Sequence, residues 1–125
     1  MATRLLCRRA DVPKRRERVV PPPAQGGWDF RDGTSDAAKG WENICAAAPG
    51  NARAAWERIT ADPRTRTDRQ HPLKGRLGTR RVNGEDMEQW QYEVTGGGRL
   101  WYVINDKNKT VWLTEAMPGH PKATE

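Results

Sequence analysis

Glu88-Gln89-Trp90-Gln91-Tyr92-Glu93-Val94, Arg99-Leu100-Trp101-Tyr102-Val103-Ile104 and Thr110-Val111-Trp112-Leu113 decide the fold of this chain. In the first segment Trp90, Tyr92 and Val94 alternate with Gln89, Gln91 and Glu93. In the second, Leu100, Tyr102 and Ile104 alternate with Arg99, Trp101 and Val103. Successive side chains of a strand point to opposite faces, so this period of two predicts half-buried strands. Gly96-Gly97-Gly98 and Asn105–Lys109 are turns short enough to join such strands antiparallel. Asn83-Gly84, within a turn expected over 83–86, is a strong hairpin signal and implies one more strand at about Leu77–Val82. The last strand is expected over Thr110–Ala116. Together these segments predict an antiparallel meander.

Upstream of the meander the period changes to that of a helix. Ala37, Trp41, Ile44, Cys45 and Ala48 fall at i, i+4, i+7, i+8 and i+11, with Ser35 or Asp36 available as the N-cap. Gly40 is expected to weaken this helix by roughly 1 kcal/mol relative to Ala. Pro49-Gly50 ends it, and Asn51 is placed to cap a second helix whose apolar face is Ala52, Ala55, Trp56 and Ile59. Asp62-Pro63 stops that one, because a residue before proline avoids the helical region. Trp41 and Trp56 are expected to face a common core. Trp28-Asp29-Phe30-Arg31 reads as a short edge strand, and residues 63–75 as a polar basic loop. The order is strand, two helices, then meander, which predicts an α+β domain with two N-terminal helices packed on a mostly antiparallel sheet.

Composition limits the alternatives. A chain of 125 residues has a one-domain length, and its mean hydropathy of −0.96 implies a small core to which the six tryptophans contribute much of the area. No apolar run approaches the roughly 20 residues that span a bilayer, and the basic start lacks the apolar stretch of a signal peptide, so a cytoplasmic location is expected. Cys7 and Cys45 have neither metal-ligand nor disulfide spacing. Charge is concentrated: residues 1–20 hold seven Arg/Lys against two acids, and residues 63–81 hold seven against Asp68 alone. The first block, with Pro21-Pro22-Pro23 after it, predicts a flexible arm over residues 1–25 preceding a folded domain over 26–125. The second, lying between structured segments, predicts a binding surface for a polyanion, RNA foremost.

Leu73-Lys74-Gly75, followed by a hairpin and then Gly98-Arg99-Leu100-Trp101-Tyr102-Val103-Ile104-Asn105-Asp106, resembles the signature of the RelE/ParE superfamily, the bacterial toxins of type II toxin–antitoxin systems. Gly119-His120-Pro121-Lys122 is similar to the basic or histidine-bearing end of the last strand in its ribonuclease members, and the whole pattern resembles an actinobacterial group of the superfamily. The resemblance runs from about Trp28 to Lys122. It implies a RelE/ParE-like sheet packed by two helices and a cognate antitoxin partner. It implies either ribosome-dependent cleavage of mRNA or, in the ParE branch, inhibition of DNA gyrase. RelE-type ribonucleases also carry two lysines on the strand before the signature arginine. By register those positions are Trp90 and Tyr92 here, and the tyrosine that often completes the site is replaced where Pro121 follows His120.

Metal-independent RNA cleavage needs a base near the 2′-OH, an acid near the leaving oxygen and cations for the charge developing on phosphate. His120 is the first candidate for acid or base, since an imidazole titrates near neutrality. Arg99, which matches the signature arginine, is assigned to the phosphate, which its planar fork suits. Lys122 completes the expected catalytic set. His71, Lys74, Arg76, Arg80 and Arg81 are expected along the RNA backbone, and Trp101 under an unstacked base. The simpler alternative for Arg99 is pairing with Glu93 or Glu88 across the hairpin. No cofactor is expected, and Glu85, Asp86 and Glu88 fall in a turn region without a matching metal-ligand set. A binding module without catalysis is the third reading.

Overall fold

A computed structural model of the chain describes residues 27–119. The arm expected over 1–25 and the His120-Pro121-Lys122 ending lie outside the described residues. The order is β1 (Asp29–Asp32), α1 (Ser35–Ala47), α2 (Pro49–Ala61), β2 (Gln70–Pro72), a 3₁₀ turn (Gly75–Gly78), β3 (Thr79–Val82), β4 (Glu85–Glu93), β5 (Arg99–Asn105) and β6 (Thr110–Met117). The architecture is α+β, with two helices against one face of a six-stranded, mostly antiparallel sheet.

The strands run β1-β6-β5-β4-β2, and β3 pairs with the first half of β4. β4, β5 and β6 are the meander that the alternation predicts. β1 is an edge strand, and it runs parallel to β6, Phe30 opposite Val111. That pairing joins the two ends of the described chain and has no local signal. β2 lies inside the stretch expected to be a loop. It pairs antiparallel with β4, Gln70 opposite Tyr92 and Pro72 opposite Trp90. A three-residue strand has too few positions to display a period.

Asn83 and Gly84 both take left-handed backbone (φ 53° and 82°), the geometry of a two-residue hairpin turn with the twist of its strands. Glu85 and Asp86, expected in that turn, instead open β4. The strand expected from Leu77 starts at Thr79, and Leu77 belongs to the 3₁₀ turn with 48% of its surface exposed.

The helices show how local expectation yields to packing. Thr34, not Ser35 or Asp36, caps α1: its backbone is extended and its Oγ1 accepts from the Ala37 N–H at 2.9 Å. Asn51 caps nothing. Pro49 occupies the first turn of α2, where a missing N–H has no cost, and the Asn51 side chain donates to the Val94 carbonyl at 3.0 Å, tying α2 to the end of β4. Gly40 faces β6 so closely that a β-carbon there would lie 2.0 Å from the Ala116 carbonyl oxygen. Its cost in helix propensity is therefore the condition for docking α1 on the sheet.

The core lies between helices and sheet. Phe30, Trp41, Ile44, Trp56, Ile59, Trp90, Tyr92, Leu100, Tyr102, Val111 and Leu113 are all buried there, with Trp28 packed at its margin. Each such side chain contributes roughly 1.5–3 kcal/mol of transfer free energy. Tyr102 is fully buried, donates to the Pro63 carbonyl at 2.7 Å and accepts from Gln70 Nε2 at 3.0 Å. Burial pushes its hydroxyl well above the usual phenol range. Among the described residues no helix is long and apolar enough to cross a membrane.

Candidate nucleic-acid interface

The sheet face opposite the helices collects the sequence candidates. Strand alternation puts Gln91 and Trp101 there, and the pairings extend that row through His71 on β2 and Glu115 on β6. A second row is Glu93, Arg99 and Met117. A third, toward β3, is Gln89, Val103, Trp112 and Arg31. Two segments remote in sequence, β2 and β5, thus place His71 beside Arg99 and Trp101 in neighbouring rows.

β3 gives this face a wall. Arg80 on β3 bonds Glu115 on β6 at 3.0 Å, although β4 and β5 lie between those strands. Strands are spaced at about 4.8 Å, so a flat sheet would hold the two backbones some 14 Å apart. β3 must therefore curl over the face, and the 3₁₀ turn follows it. Beneath them polar groups are buried and satisfied: Gln89 donates to the Leu77 carbonyl at 2.8 Å and accepts from Thr114 Oγ1 at 2.6 Å. A register shift of β6 at Trp101/Tyr102 makes room for Thr114, whose hydroxyl also lies 3.1 Å from the Trp101 carbonyl. Gln89 was expected on a plain polar face, and the curl of β3 is what buries it.

The aromatic floor is half-exposed. Trp101 donates from Nε1 to Gln91 Oε1 at 2.9 Å, which fixes the plane of its ring. Trp112 is the aromatic residue that sequence reasoning left unassigned on this face. Its alternation with Val111 and Leu113 was the available signal. His71 is half-buried, with Nδ1 3.2 Å from the Pro72 carbonyl. A proton on Nδ1 suits that contact and leaves Nε2 as the acceptor of the ring.

The cations divide by partner. Arg99 Nη1 reaches the Gly98 carbonyl at 3.1 Å, and the Thr95 and Gly96 carbonyls at 3.4 Å each. It stands 3.8 Å from Glu93, so the simpler alternative of a cross-hairpin pair is realised with Glu93, not Glu88. Arg81, largely exposed, bonds the Gly84 carbonyl and lies 3.4 Å from Asp86. Lys74 and Arg76 are exposed around the 3₁₀ turn and form no ion pair among the described residues. Arg99–Glu93 and Arg80–Glu115 are each about a third exposed, where an ion pair is worth at most about 1 kcal/mol. A phosphate offering two oxygens to either guanidinium can displace such a carboxylate.

Arg64, counted with the basic block, is a brace. Its guanidinium is held between Glu88 (2.9 and 3.1 Å) and Asp106 (2.8 and 2.9 Å), while Glu88 also accepts from Trp90 Nε1 at 2.7 Å. The bonds from Arg64 hold both carboxyls below their usual range and raise the guanidinium further. Arg66 covers the Trp90 ring at 5.9 Å. These two arginines clamp the 62–70 segment to the sheet.

Trp90 and Tyr92, at the register positions of the lysine pair, point into the helix-side core. Gly119, where the described chain ends, lies near the Gly97–Gly98 turn that leads into Arg99: a β-carbon on it would be 3.7 Å from the Gly97 carbonyl carbon. His120 and Lys122 are outside the described residues. Among those residues no three His, Cys, Asp or Glu side chains converge as a metal site requires. A scan of protein-family models and searches of curated proteins and solved structures returned no match to this chain.

Proposed function

We propose that this chain is the toxin of a type II toxin–antitoxin pair, a RelE-type member of the RelE/ParE superfamily that cleaves mRNA on the ribosome without a metal and is restrained by a cognate antitoxin. The observation that supports this reading is the convergence of His71, Arg99 and Trp101 on one walled face, with Arg80 in the wall. Trp101 offers a stacking surface for an unpaired base. Arg99, on exchanging Glu93 for phosphate, neutralises charge as the 2′-OH attacks the neighbouring phosphorus. As the 2′-oxygen bonds to phosphorus, the bond from phosphorus to the 5′-oxygen breaks, leaving a 2′,3′-cyclic phosphate. His120 and His71 Nε2 divide the two proton transfers, one taking the 2′-OH proton and the other protonating the leaving 5′-oxygen, and Lys122 adds positive charge for the phosphate. Lys74, Arg76 and Arg81 hold the strand on either side.

The test is controlled expression in bacteria with new RNA 5′ ends mapped across translated frames. Wild type is expected to arrest growth and produce such ends, and His120→Ala and Trp101→Ala are expected to remove them. Full cleavage by both variants, each folded, overturns the assignment.

One observation favours the gyrase-inhibiting branch. The two positions that carry lysines in RelE-type ribonucleases are here buried aromatics on the helix side. Growth arrest with intact mRNA and a DNA-damage response would select that branch. Salt-dependent RNA binding without arrest would select a binding module.

A further inference from the structure

A cleft of about 510 Å³ opens on the other side of the molecule, between α2 and the segment before β2. Asn51, Ala54 and Arg58 form its helical wall, spaced at i, i+3 and i+7 so that all three project from one face. Thr67, Asp68 and Arg69 form the facing wall, and Tyr92 and Val94 the floor. Thr67 Oγ1 accepts from the Arg69 and Gln70 N–H groups at 3.2 and 3.1 Å, which fixes the turn that aims Arg69. Ala54, between two longer side chains, leaves the space open.

We propose that this cleft is a phosphate-binding site, with Arg58 and Arg69 as the two guanidinium ligands and the Tyr92 hydroxyl as a donor from the floor. Three features carry this. Arg58 is exposed, lines the cleft and forms no ion pair among the described residues. Arg69 is turned along the cleft by one bond from Nη1 to the Glu93 carbonyl at 3.3 Å, which leaves its other N–H groups available. Tyr92 is 4% exposed, yet its hydroxyl makes no hydrogen bond among the described residues although it borders the cleft. Donors from three separate elements around one space of ligand size fit a tetrahedral oxyanion better than a planar or apolar group. Asp68 stands on the wall as the one carboxylate, and it limits affinity for doubly charged ligands. The site stands apart from the toxin reading, since it lies on the helix side and shares no ligand with the Trp101 face.

Arginine Nε–Hε and tyrosine ring NMR signals of the full chain test it, titrated with inorganic phosphate, adenosine monophosphate and a uridine hexanucleotide. Saturable shifts of Arg58, Arg69 and Tyr92 are expected with the mononucleotide. Arg58→Gln and Arg69→Gln should each weaken binding about tenfold. Arg69→Lys should recover only part of the loss, because it keeps the charge without the fork. Asp68→Asn should tighten binding about two- to threefold. Saturation by the hexanucleotide at a tenfold lower concentration assigns the site to a phosphate within a strand; equal concentrations assign it to a free or terminal phosphate. Shifts that do not saturate, that spread equally to Lys74 and Arg76, or that persist in the Arg58→Gln/Arg69→Gln double variant overturn the proposal. Near-UV circular dichroism of each variant separates lost binding from lost fold.

Discussion

The two faces of the sheet are built from the same strands and have opposite contents. Toward the helices, Trp90, Tyr92, Leu100, Tyr102 and Ile104 interlock with Trp41, Ile44, Trp56 and Ile59. Toward the other side, their neighbours Gln91, Glu93, Arg99, Trp101 and Glu115, with Trp112 in the next row, form a half-exposed surface of aromatic rings among paired charges. Only the part beneath β3 and the 3₁₀ turn is closed, by Gln89, Val103 and Thr114. One face is therefore occupied with stability, and the other is free to exchange its partners.

Neighbouring residues test that division most severely. Leu100 and Trp101 are adjacent in sequence, one fully buried and one half-exposed. Leu100→Ala should cost about 2–5 kcal/mol in urea unfolding, the range for truncating a buried leucine. A loss below 1 kcal/mol would mean that the helix-side face does not hold the fold.

Gly40→Ala should come next, at about 1–3 kcal/mol of destabilisation from overpacking against Ala116. Helix propensity alone predicts the opposite sign, a gain of about 1 kcal/mol. Thermal unfolding decides between them, and a stabilised variant would place α1 farther from β6.

Trp101→Ala should leave stability nearly unchanged while reducing single-stranded RNA affinity by about 1–3 kcal/mol, the value of a base stack. Fluorescence anisotropy with a labelled oligonucleotide reads that loss. Equal affinity in the variant would remove Trp101 from the interface.

The smallest effect concerns pH. Arg64 depresses both the Glu88 and Asp106 carboxyls below their ordinary values of 4.5 and 3.8. A depressed carboxyl contributes stability above its unfolded value and loses it as pH falls through the lower folded one. Stability from this brace should be constant near neutrality and decline below about pH 4.5. Because both carboxylates are substantially exposed, the decline should stay under about 1 kcal/mol and shrink in salt. Asp106→Asn should flatten that part of the profile, and an unchanged acid limb would show that the brace contributes nothing.

Much of the helix-side face was legible in the chain. Trp90/Tyr92 and Leu100/Tyr102/Ile104 alternate with period two, and Trp41/Ile44/Cys45 and Trp56/Ile59 repeat at helical spacing, because burial of one face imposes a period on local sequence. Asn83-Gly84 marked its turn because few residues tolerate left-handed backbone. Tertiary structure alone decided the rest. The parallel pairing of β1 with β6, the fit of Gly40 against Ala116, the curl of β3 that joins Arg80 to Glu115, and the capture of Arg64 by Glu88 and Asp106 each link residues far apart in the chain. Periodicity reports which face a side chain takes. It cannot report which distant charge or carbonyl that face will meet, because pair partners are set by strand register and sheet curvature, which belong to the folded whole.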